Sequence, residues 1–136
     1  MGAAMAPAVV DTIVNYFRES GLTPKDIDVI VTGDLGYEGG SILCEMLTAQ
    51  GLDIRDRYTD CGMLIYDRER QDKHAGGSGC GCAATVTAAH FFPLLEKGEL
   101  RNILLMATGA MMSPSSVMQG DAIPAVAHLV NLRSTQ

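Results

Sequence analysis

The run Ala75-Gly76-Gly77-Ser78-Gly79-Cys80-Gly81-Cys82 passes without a break into Ala83-Ala84-Thr85-Val86-Thr87-Ala88-Ala89-His90-Phe91-Phe92. Four glycines in six residues exclude a helix or strand interior, because glycine loses more backbone freedom on ordering than any other residue. The run is a loop. The alanine-rich segment after it carries Val86, Ala89, Phe92 and Leu94 on roughly one face of a 3.6-residue period, which predicts a helix. A glycine loop entering a helix gathers free backbone N–H groups and the positive end of the helix dipole at one point, open to close approach. That point suits an anion. The competing reading is that the glycines only let the helix pack closely on a sheet. The final Lys-Ser/Thr pair of a nucleotide P-loop is missing, so nucleotide binding is not expected.

A chain of 136 residues is one domain, long enough for a sizeable core. With no Trp, three Phe and eight Met, that core must be aliphatic and adaptable. A net charge of −6 argues against a nucleic-acid partner, which requires clustered Lys and Arg. The chain shows no basic leader and no apolar run approaching the ~18 residues of a membrane span, so a cytoplasmic protein without a transmembrane segment is expected. Cys44, Cys61, Cys80 and Cys82 are expected as reduced thiols. Cys80-x-Cys82 lacks a second close pair or a histidine at ligand spacing, so neither a metal site nor a cofactor is expected.

Val9, Val10, Ile13, Val14, Tyr16 and Phe17 recur at helical spacing between Pro7 and Ser20, with Pro7 in the first turn and Gly21 as the stop. A turn at Thr23–Asp26 leads to a β-branched strand, Ile27–Thr32. A second helix is predicted over Gly39–Gln50. Residues Leu52–His74 read as irregular, broken by one apolar run, Met63-Leu64-Ile65-Tyr66; so long a stretch points to a functional or partner-facing loop. Pro93 should bend or restart the helix after the glycine loop. Ile103–Ala107 and Ala122–Leu132 complete the strands. Helices alternating with buried strands predict an α/β layered domain.

Six ordered segments then carry a resemblance: Met1–Ala8, Thr32–Gly36, Asp60–Tyr66, Ala75–Cys80, Ala107–Pro114 and Ile123–His128. Together they resemble the C-terminal half of the stage V sporulation protein AD family (SpoVAD) of endospore-forming bacteria, over nearly the whole chain. The resemblance implies the C-terminal half of a thiolase-like fold, helices layered on a mixed sheet, and hence a fragment of a longer protein. It implies a non-catalytic, dipicolinic-acid-binding component of dipicolinate uptake into the developing spore, working with SpoVA-type membrane proteins at the spore inner membrane. Thiolases carry Asn-Glu-Ala-Phe near Gly33–Gly36 and Gly-His-Pro within Gly77–Cys82, and neither motif is present. Two other readings remain: a thiolase- or ketoacyl-synthase-like acyltransferase half-domain, and an interaction scaffold built on the long loop.

Dipicolinate is a flat pyridine with two carboxylates, so its site needs donors at both ends and slender residues beside the ring. Gly76, Gly77, Ser78, Gly79 and Cys80 are candidates for one end, with a helix cap or turn as the alternative role of Ser78. Gly109, Ser113 and Gln119 follow a predicted strand, where crevices of open sheets lie or where ordinary turns form. Asp34 either holds a calcium chelated by the ligand or caps the next helix. His128 is a candidate ligand residue or a satisfied core histidine, and His90 is structural. In a thiolase-like half, the strand preceding Met1 lies in mid-sheet. Its absence predicts unpaired inner edges, and with them a homo-oligomer, a rearranged sheet or dependence on the missing N-terminal half.

Overall fold

The computed structural model describes residues 1–135. Helix α1 (Gly2–Ser20) buries Met5, Ala6, Val9, Val10, Ile13 and Phe17, the face its periodicity predicts, and stops where the Gly21 N–H bonds Phe17 O at φ +68°. It begins five residues before the expected start, leaving Pro7 inside the helix. The first turn is held by packing: a Cβ on Gly2 would lie 2.2 Å from Leu35 O, and one on Gly39 2.8 Å from the Gly2 backbone. Two glycines thus let α1 and the next helix touch backbone to backbone.

Strand β1 (Val29–Thr32) is shorter than predicted because Ile27 closes the preceding 3₁₀ turn Pro24–Asp26, although its side chain is fully buried. Helix α2 (Gly36–Ala49) starts three residues early, for a reason that appears at the site. Residues 52–74 are not wholly irregular: they contain a 3₁₀ turn (Arg55–Arg57), strand β2 (Tyr58–Asp60) and helix α3 (Cys61–Leu64). A three-residue strand reading Tyr-Thr-Asp has too few residues to show a period.

The glycine loop leads into α4 (Cys82–Val86), a π turn (Thr87–Phe91) and α5 (Phe92–Glu96). Pro93 is the second residue of α5, directly after the π turn, so the helical pattern changes at the proline. The Phe92 N–H reaches back five residues to Thr87 O, and the extra residue shifts the buried face. Phe91 therefore enters the core, whereas Ala89 and Phe92, expected inside, are exposed. Strand β3 (Asn102–Ala110), a short helix α6 (Pro114–Met118) and strand β4 (Ala125–Arg133) follow.

The sheet runs β2-β1-β3-β4, parallel through β3 and antiparallel at β4, which makes the chain an α/β domain on a mixed sheet. Val29 to Thr32 pair directly with Ile103 to Met106. Inner edges are thus not left open, as an absent mid-sheet strand had predicted; β1 and β3 satisfy each other. Helices α1 and α2 cover one face over Ile30, Leu104 and Met106, and the α3–α5 segment covers the other over Val31 and Ile103. Along β4, Ala125, Ala127 and Leu129 pack toward α1, while Val126, His128 and Val130 are exposed. His128 is therefore no core histidine: period-two alternation turns it to the uncovered face.

Leu104 is fully buried at the centre of the sheet. Leu104→Ala is expected to lower unfolding free energy by about 2–5 kcal/mol, and Val130→Ala by less than about 0.5 kcal/mol, measured by urea denaturation.

Candidate functional site

Two aspartates organise the ends of β1 and β2. Asp60 is fully buried, and its carboxylate accepts from Thr32 Oγ1 (2.6 Å), the Leu35 N–H (2.8 Å) and the Gly36 N–H (3.0 Å). This carboxylate, not Asp34, satisfies the start of α2, which explains why that helix begins at Gly36. Burial pushes the Asp60 pKa up, while the bonds from Thr32, Gly36, Leu35 and Gly62 pull the other way. No sequence signal marked Asp60 apart from its place in a family-like segment, because a lone Asp among polar residues reads as surface.

Asp34 has a different task. Its Oδ2 accepts from Ser78 Oγ (2.8 Å) and the Gly79 N–H (3.2 Å), and its Oδ1 from Thr108 Oγ1 (2.9 Å). The carboxylate thereby ties the glycine loop to the end of β3 across separations of 44, 45 and 74 residues. The anion that the loop receives in this structure is the chain's own. Neither the expected cap role nor a free donor nest describes it.

Beside this latch lies a cavity of about 350 Å³, lined by Asp34, Gly79 and Cys80 on one side and Ala107 to Ala110 on the other, with Met1 and Ala83 completing it. Of the sequence candidates, Asp34, Gly79, Cys80 and Gly109 meet here, and Ser78 joins them through Asp34. Gly76 and Gly77 do not line it. The Gly77 N–H bonds Gly62 O at 2.6 Å, and a Cβ on Gly77 would lie 2.3 Å from Ile65 Cγ2, so these glycines dock the loop on α3. Ser113 caps α6, accepting weakly from the Ser116 N–H at 3.5 Å, and Gln119 closes that helix. His128 pairs in register with Ala107, one strand over, without lining the cavity. Thr108, which no sequence pattern singled out, anchors Asp34.

Among the described residues no Lys, Arg or His side chain lines the cavity. His74 is exposed and pairs with Asp72 at 2.7 Å, and His90 stacks edge-on against Phe91. Cys80 is exposed, whereas Cys61 and Cys82 are buried; burial pushes the Cys61 thiol up to about 12 and raises that of Cys82. Among the described residues no group of three or more His, Cys, Asp or Glu could hold a metal ion, and no helix is long and apolar enough to cross a membrane.

The family profile of "Stage V sporulation protein AD (SpoVAD)" matches residues 1–133. The curated protein Stage V sporulation protein AD of Bacillus subtilis (strain 168) is 44% identical over 128 residues, which cover 94% of this chain and 38% of that protein. The chain thus spans well under half the length of that relative.

The buried Asp60 gives a signed pH dependence. Its folded-state pKa lies above the unfolded value of about 3.9, so the native state binds the proton more tightly and the Asp60 contribution to stability falls as pH rises through that window. Relative to Asp60→Asn, the wild type should gain stability as pH is lowered from 7 toward 4. Urea midpoints at several pH values measure this, and parallel profiles would contradict it.

Proposed function

Because the chain belongs to the stage V sporulation protein AD family, a family of sporulation proteins, we propose that its Asp34 cavity is a non-catalytic binding site for dipicolinate carried as the calcium chelate. The observation that carries this reading is the Asp34 latch on the cavity wall. A free dicarboxylate entering there meets a carboxylate and no cationic side chain, which opposes binding. Calcium removes the conflict. The chelate is neutral, and calcium accepts six to eight oxygen ligands, so positions left open by dipicolinate are free for a carboxylate such as that of Asp34. Among the described residues no group of three or more His, Cys, Asp or Glu could hold a metal ion, and in this reading the ligand supplies most of the coordination.

The slender wall of Gly79, Ala83, Ala107 and Gly109 suits a flat ring, and about 350 Å³ is within the range of small-molecule sites. Cys80 has no histidine beside it in the cavity, which favours binding over acyl transfer, since a thiol nucleophile is activated by a positioned base. In the sporulating cell this chain would serve dipicolinate uptake together with SpoVA-type membrane proteins at the spore inner membrane, and with the part of the family protein that it does not span.

Cys80 reports on the cavity directly. Calcium and dipicolinate together should slow its alkylation by iodoacetamide, read by mass spectrometry, and either alone should slow it far less. Asp34→Asn should abolish the calcium dependence. An unchanged Cys80 rate with both components present would refute the reading.

A further inference from the structure

Helix α2, the turn Arg55–Arg57 and the β2–α3 segment border a second cavity, open to solvent and of about 360 Å³, separate from the one that Asp34 lines. Positions 37, 40, 41, 44 and 45 fall on one face of α2 and form one wall. Gly40 permits the opposite wall: a Cβ there would lie 2.9 Å from Tyr58 Oη, so the phenol rests on the helix backbone. That phenol hydroxyl is already engaged by Thr32 Oγ1 at 2.7 Å, and its ring therefore offers apolar surface rather than a free donor. Tyr37 and Met63 extend the apolar surface.

The polar groups of the cavity are of opposite sign. Arg55 lies 3.9 Å from Asp53, with both side chains more than half exposed, a pairing of little energetic value that leaves the guanidinium available. Arg55 lines the cavity, and its positive charge opposes the upward push of burial on the Cys44 thiol beside it. Glu45 Oε1 accepts a long hydrogen bond from Ser41 Oγ at 3.4 Å.

We propose that this cavity binds an α-amino acid with an apolar side chain: its carboxylate on the Arg55 guanidinium, its ammonium on Glu45, and its side chain on Tyr37, Tyr58 and Met63. A planar guanidinium matches a carboxylate with two parallel hydrogen bonds, and a nearby carboxylate selects against ligands that lack the amine. The Tyr37 ring is backed by the Arg68 guanidinium 4.1 Å from its centroid, which steadies that wall.

Cys44 is a reporter that the wild-type chain already carries. At pH 8.5, 10 mM L-leucine is expected to slow Cys44 alkylation by iodoacetamide about tenfold for a dissociation constant of about 1 mM, leaving Cys80 unchanged. Isopentylamine, which lacks the carboxylate, should give no such protection, and Arg55→Ala should lose the effect of leucine while keeping its circular dichroism spectrum. The proposal is overturned if L-leucine, L-methionine and L-phenylalanine all leave the Cys44 rate unaltered, or if isopentylamine protects as well as leucine. Because Cys80 reports on the other cavity, either site can fail without the other.

Discussion

The buried carboxylate of Asp60 is the contact on which the rest of the structure turns. It accepts a hydroxyl from β1 and two backbone N–H groups from the start of α2, while its own backbone ends β2 and begins α3. Four elements therefore converge on one ion. A buried charge is tolerable only when its hydrogen bonds are made. Here every one of these partners donates, and the start of α2 has no other side-chain cap. The loop Gly33–Leu35 is positioned by this arrangement, and Asp34 sits within it.

Asp34 extends the same logic outward. From the fixed end of β1 it reaches the glycine loop and Thr108, so the loop geometry depends on an ion pair-free latch of three donors. The loop is docked at its other end by the bond from the Gly77 N–H to Gly62 O. A glycine loop held at both ends is a preorganised wall, and preorganisation is what lets a small cavity bind without first ordering its own residues.

Much of the fold was legible in the sequence because the signals were long. The apolar face of α1 spans four turns, and the β-branched run through Thr32 and the aliphatic run from Ile103 could only be buried strands. Short or compensated features were not legible. Strand β2 is three residues long, and the π turn at Thr87–Phe91 moved the buried position from Phe92 to Phe91. The candidate site was half legible. Asp34, Gly79, Cys80 and Gly109 do meet at one cavity, since they close neighbouring strand ends and the loop between them. Gly76 and Gly77 face α3 instead, and Ser113, Gln119 and His128 are occupied by a helix cap, a helix end and an exposed strand face. Asp60 and Thr108 became visible only through contacts distant in sequence.

In the function proposed above, the cavity takes the neutral calcium chelate and refuses the free dianion. A thermal melt of the chain with dipicolinate, with calcium, and with both tests it most directly, since a ligand that binds only the folded state raises the midpoint by mass action. An upward shift is expected with both together and none with either alone. A shift of equal size with dipicolinate in the presence of a chelator of calcium, or no shift under any of the three conditions, would contradict it.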